Sequence, residues 1–332
     1  MVIPRPDADV PMPIPLVFFG SPPFAVPTLT ALARDARYDV RLVITQPPRP
    51  SGRGRQVHRS AVHEAADARG LPVLAPERLR DPAVVAQLVA VAPSLFVVAA
   101  YGKILRPDIL AIPDRGTLNV HASLLPRYRG ASPIHAAILD GASETGVSIM
   151  LMDVGLDTGP VLARQEIHIP EDATTISLSE SLADMGAVSL VATAARWVRG
   201  EITPSPQDDR AATVTRLIKK EDGNARWEDS AVRIVRMEHA YRPWPGVFTF
   251  LSAKRLLLHG LRAAPSSSIG VSPGTIVAID ADGMRVRAGD DDVLVARVQP
   301  EGKAPIAAAA FASGRAGLVG TRLTMTPTGQ DE

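Results

Sequence analysis

Asn119 and His121 stand two positions apart in the stretch TLNVHASLLPRYRG, Thr117 to Gly130. On an extended segment, residues at that spacing project from one face. An amide and an imidazole are therefore presented side by side. Asp157 lies in GLDTG between Gly155 and Gly159. Taken singly, each residue has a plainer reading: a buried histidine is ordinarily a hydrogen-bonded core residue, and an aspartate between glycines ordinarily forms a turn. Taken together they fit acyl transfer to an amine. That reaction needs a base for the amine proton and a donor for the oxygen that gains negative charge. His121 supplies the first and Asn119 the second, and a carboxylate from Asp157 fixes the imidazole tautomer and stabilises its charged form.

Rival chemistries lack their signatures. No G-x-S-x-G elbow is present for a serine nucleophile. The chain has no cysteine, which excludes disulfides, thiolate metal sites and cysteine nucleophiles. Seven histidines offer no metal-ligand spacing, so no metal is expected. GSPPFAVP, after the first apolar run, lacks the G-x-G-x-x-G spacing of a dinucleotide site.

The elements that must position these residues follow from hydrophobic periodicity. Leu16 to Gly20, Asp39 to Thr45, Ser94 to Ala100 and Thr117 to Ala122 are nearly all apolar, as strands covered on both faces are. Ser60 to Arg69 and Pro82 to Val91 have helical composition, with Asp81 an N-cap before a proline at the first helical position. Two further strands, GVSIMLM and VLARQEIHI, flank the Asp157 turn, and Ile176 to Arg199 is a long helix. This alternation predicts an α/β domain built on a mostly parallel sheet, with the ligand crevice at the carboxyl ends of its strands.

Glu201 to Ala212 reads as a linker. Beyond it a helix over Ala231 to Tyr241 precedes five short β-branched runs, which predict a small β-barrel or sandwich. The expected organisation is an extension over 1–15, a catalytic domain over 16–204 and a second domain over 205–332. The N-terminus has no secretory apolar stretch, and no apolar run reaches the roughly 20 residues that cross a bilayer. A cytoplasmic protein that does not engage a membrane is expected, working as a monomer.

Asn119-Val-His121, SLLPRYRG and MDVGLDTG, with GSPPFAVPTL, VVAAYGKIL, RPWPG and QPEGK, resemble the signature of the 10-formyltetrahydrofolate-dependent transformylases. The resemblance spans nearly all of residues 16 to 320. It implies a Rossmann-like catalytic domain followed by an OB-like barrel, and 10-formyltetrahydrofolate as formyl donor without a metal. It also implies that Asn119, His121 and Asp157 are the catalytic residues. By the same resemblance Ser123, Leu124, Leu125 and Pro126 form the turn that contacts the folate, and Phe24 walls its pocket.

The amine acceptor must be read elsewhere. Pro47 to Arg59 carries Arg49, Arg53, Arg55 and Arg59, with no acidic residue between Val40 and His63. Arginine forks suit phosphate, and a glycine- and proline-rich arm can order around RNA. The loop resembles the insertion with which family members that formylate initiator methionyl-tRNA grip the acceptor stem, and Arg53 matches its key arginine. Net charge is only +1, and from residue 205 onward 17 Lys and Arg face 15 Asp and Glu. Any RNA attraction in the second domain must therefore be local. Lys219 and Lys220, together with Arg233, Arg236 and Arg242, are its candidates. Three alternatives stay open: a sugar-nucleotide formyltransferase, a 10-formyltetrahydrofolate hydrolase, and a non-catalytic RNA-binding module. Ala225-Arg226-Trp227, Asp291 and Ala304 depart from the family pattern, whereas the three catalytic positions do not.

Overall fold

The apolar runs become strands in the computed structural model, which describes residues 12–51, 56–266, 270–315 and 317–327. In chain order the first elements are β1 (Ile14–Gly20), α1 (Val26–Arg34), β2 (Tyr38–Ile44), β3 (Arg49–Ser51), β4 (Gln56–His58), α2 (Ala61–Asp67), β5 (Val73–Leu74), α3 (Pro82–Ala90) and β6 (Leu95–Ala99). There follow α4 (Pro107–Leu110), β7 (Thr117–His121), β8 (Arg129–Gly130), α5 (Pro133–Asp140), β9 (Glu144–Leu151), β10 (Val161–His168) and α6 (Thr175–Val198). The chain divides into two compact units: one takes residues up to Pro133, Glu144–His168 and Ser179–Thr215, and the other takes Ile134–Ser143, Ile169–Leu178 and residues from Arg216 on.

The first unit is organised by a sheet with strand order β10-β9-β7-β6-β1-β2-β5 among the described residues. The run from β7 to β5 is parallel, and β9 is antiparallel to both β7 and β10. Alternation along the strands feeds two cores. Leu16, Phe18, Val97, Leu118 and Val120 point to one face, where Leu29, Leu32, Leu190 and Ala194 meet them. Val17, Phe19, Phe96 and Val98 point to the other, with Leu88 and Ile109. Burying such a side chain contributes about 1.5–3 kcal/mol at most. Phe19 adds edge-on ring contacts to Phe96 and Tyr101, with centroids 5.0 and 5.6 Å apart. The predicted cap is present, since Asp81 accepts from the Ala83 N–H at 3.0 Å.

Two stretches differ from the sequence reading. Ile14 and Pro15, assigned to the extension, belong to β1 and align with Tyr38 and Asp39 of β2. Proline is tolerated at the start of a strand because few ladder donors are needed there. Its carbonyl accepts from the Ser94 N–H at 2.8 Å. The stretch read as a linker is docked: Ser205 pairs with Val161 and Arg129 donates to Gln207 and Asp209, while just beyond it β11 (Val214–Thr215) lies parallel to β8.

In the second unit come α7 (Ala231–Tyr241), β12 (Val247–Leu251), β13 (Lys254–Ala264), β14 (Ile276–Asp280), β15 (Gly283–Arg287), β16 (Asp292–Pro300), β17 (Ile306–Ala307) and α8 (Ala308–Ala312). Ser230 and Asp290 cap α7 through the N–H groups of Arg233 and Ala231. The strands form an antiparallel sheet of order β12-β13-β16-β15-β14, with β17 added to β16. Its two edges are joined by one segment: Thr324 bridges to Phe250 of β12 and Arg322 to Thr275 just before β14. That closure gives the small barrel expected, and it leaves neither edge as an unpaired template.

Candidate active site

β7 carries Asn119 and His121 into the sheet's carboxyl edge. Leu118 and Val120 point into the core beneath α1 and α6, so the two polar side chains occupy the opposite face. Their neighbours in register are Met150 and Ser148 of β9. Both residues are buried, at 8% and 5% exposure.

The imidazole is held between two acceptors. Its Nε2 lies 3.0 Å from the Tyr128 carbonyl oxygen, and its Nδ1 lies 3.5 Å from Asp157 Oδ2. A carbonyl can only accept, so the proton of the neutral ring sits on Nε2 and the Nδ1 lone pair faces the carboxylate. The sequence reading gave Asp157 the task of fixing the tautomer. The geometry gives that task to the Tyr128 carbonyl, and leaves Asp157 at ion-pair distance to meet an imidazolium once Nδ1 takes a proton. Asp157 Oδ2 also accepts from the Gly130 N–H at 2.8 Å. The Asn119 side chain makes no hydrogen bond to any described residue, so its amide is left for a ligand.

The turn after β7 is braced from inside. Ser123 Oγ donates to the Arg127 carbonyl at 2.6 Å. Ser148 Oγ donates to the Ser123 carbonyl and accepts from Leu125 N–H, and Arg164 Nε donates to the Leu125 carbonyl at 2.8 Å. The Leu125–Pro126 peptide is cis. Ser123 and Leu125 are buried at 0% and 2% exposure, so they hold the turn and present no surface. Leu124 and Pro126, half-buried, are the two members of the turn with surface to offer a ligand. Phe24, in the 3-10 turn after β1, is half-buried against the α1 core. β1 is two strands from β7, roughly 10 Å away at ordinary strand spacing.

The basic loop rises from a short hairpin in which Arg49 pairs with His58 and Ser51 with Gln56. Arg49 is exposed, whereas Arg59 is engaged by Asp67 at 2.5 Å. Arg53 and Arg55 lie outside the described residues. Lys103, unforeseen from sequence, donates to the carbonyls of Pro76 and Glu77 at 2.9 Å each. Burial lowers its pKa, Glu77 opposes this, and Arg49 nearby adds to it. In the second unit Lys219 and Lys220 are exposed at a turn where Asp222 is taken by Arg216. Asp222 also accepts from the Lys219 main-chain N–H at 2.7 Å. Arg233 there pairs with Asp229 at 3.5 Å.

Among the described residues, no helix is long and apolar enough to cross a membrane, and no group of three or more His, Asp or Glu is placed to hold a metal ion.

Residues 14–194 match the family model for formyl transferase, and residues 217–316 match that for the formyl transferase C-terminal domain. A methionyl-tRNA formyltransferase of Roseiflexus sp. (strain RS-1) is 49% identical over 303 residues, which cover 91% of this chain and 93% of that protein. Another, of Chloroflexus aggregans, is 45% identical over 300 residues, covering 90% and 96%. Among solved structures, an N-formyltransferase from Helicobacter canadensis, in complex with folinic acid and dTDP-3-aminofucose, aligns with a TM-score of 0.61 at 15% identity. That alignment covers 86% of this chain and 99% of that one, and at such identity it speaks for the fold.

Proposed function

The chain belongs to the formyl transferase family, and from that premise we propose that it transfers the formyl group of 10-formyltetrahydrofolate to the α-amino group of methionine on initiator methionyl-tRNA. The chemistry rests on one observation: an unpartnered amide, an imidazole with a lone pair on Nδ1 and a carboxylate meet at the carboxyl edge of one sheet. The acceptor rests on the near full-length likeness to relatives that formylate methionyl-tRNA.

Bound 10-formyltetrahydrofolate supplies the activated formyl carbon. Leu124, Pro126 and Phe24 are the apolar surfaces that would hold it, and the Asn119 amide suits its carbonyl oxygen. His121 Nδ1 would accept the proton that the attacking amine loses as its bond to the formyl carbon forms, and would return a proton to N10 as the N10–formyl bond breaks and tetrahydrofolate leaves; Asp157 balances the imidazolium in between. Asn119 donates to the oxygen as negative charge develops there. Because Nε2 stays on the Tyr128 carbonyl, the ring cannot turn its lone pair elsewhere. On this reading the enzyme is a cytoplasmic monomer, and Arg49, Arg53, Arg55, Lys219 and Lys220 meet tRNA phosphates.

Mass spectrometry of methionyl-tRNA after incubation with the purified chain and the folate donor tests the proposal. Methionine carrying one added formyl group is the expected product. Unmodified methionyl-tRNA, with formylation of an amino sugar nucleotide or release of free formate instead, would overturn the assignment.

A further inference from the structure

We propose that Gln207 is a positioning residue for formyl transfer, setting the Asp157 carboxylate from the segment that follows α6. The inference rests on the reaction proposed above. Asp157 has φ 53°, in the left-handed region that side-chain-bearing residues seldom occupy, and its surroundings must hold it there. Gln207 provides that constraint. Its Nε2 donates to the Asp157 carbonyl at 2.8 Å and to the Gly159 carbonyl at 2.7 Å, which uses both amide hydrogens.

The orientation of the amide is fixed from the other side. Arg129 Nε donates to Gln207 Oε1 at 3.0 Å, and because arginine has no acceptor the amide cannot be flipped. Arg129 is buried, and its Nη2 reaches Asp209 Oδ1 at 2.8 Å, so its charge is compensated. Gly130, the next residue, is the one whose N–H holds Asp157 Oδ2. One side chain thus joins the backbone of Asp157 to the strand that orients its carboxylate. The same segment governs the other acceptor of His121, for Thr213 Oγ1 accepts from the Tyr128 N–H at 2.7 Å. Gln207 acts through Asp157 and touches no reacting atom.

Gln207→Glu keeps the shape and can still accept from Arg129, but cannot donate to two carbonyls. Gln207→Met removes the amide altogether. In the full-length enzyme both should lower kcat about tenfold while leaving KM for methionyl-tRNA within about twofold, and in an Asp157→Asn background the loss should shrink below about twofold. An equal loss in both backgrounds, or a raised KM at constant kcat, would refute the assignment. Hydrogen exchange gives a reading independent of turnover. Gln207→Met should speed exchange of the Gly130 amide and of residues 155–159 with 95–99 unchanged, and unaltered exchange at Gly130 sinks the proposal even if the enzyme proves to use another acceptor. A wild-type chain that leaves methionyl-tRNA untouched counts against the function proposed above, and the exchange measurement still decides the clamp.

Discussion

Replacing His121 by alanine removes the only imidazole at the site among the described residues while leaving β7 paired on both sides, so the loss should fall on turnover. We expect kcat to drop about 10²–10⁴-fold with tRNA affinity nearly unchanged, measured by steady-state kinetics beside a filter-binding titration. Asn119→Ala should cost about 10²–10³ in kcat for want of its hydrogen bond. An equal loss of tRNA binding in either variant would contradict the division of labour. The shared strand face of Asn119 and His121 and the turn at Asp157 were legible because strand alternation aligns the first two and paired glycines mark the third. The Tyr128 carbonyl was not, since a main-chain acceptor has no residue type to betray it. Gln207 was hidden differently: an amide 50 residues from Asp157 carries no periodic signal, and its polar, proline-bearing surroundings read as a tether.

Elements were read more fully than their ends. Strands buried on both faces announce themselves as continuous apolar runs, and the helix over Ala231 to Tyr241 matches its predicted bounds. β8 and β11 are two residues each, too short for any period, and they pair across more than 80 positions, so only the folded chain shows them. Capping allows a sharper test. Asp81 accepts from Ala83 N–H at the start of α3, and Asp81→Ala should lower stability by about 1 kcal/mol. Urea unfolding should show a lower midpoint with unchanged slope, and kcat should stay at its original value, since α3 contributes no residue to the site described above.

Across the molecule, burial makes Tyr38, Tyr101 and Tyr241 resist ionisation. Burial pushes Tyr38 and Tyr101 up to about 12 and raises Tyr241 as well. A phenol whose folded pKa exceeds its unfolded value of about 10 binds its proton more tightly when folded. Its contribution to stability is therefore whole below pH 10 and lost as pH rises towards 12. Tyrosinate absorbance should accordingly appear together with unfolding in an alkaline titration, and Tyr38→Phe should move that transition upward; early ionisation without unfolding would count against it. The docked segment between α6 and the second unit has a consequence of another kind. Arg210 stands within it with its side chain 92% exposed, an open target for trypsin. One cut there would spare β7, the Asp157 turn and the barrel, yet sever Gln207 from the Thr213 and Thr215 anchors. Activity should then vanish at the rate at which intact chain disappears from a denaturing gel, and a digest prepared to isolate a working catalytic half would yield a folded but silent one.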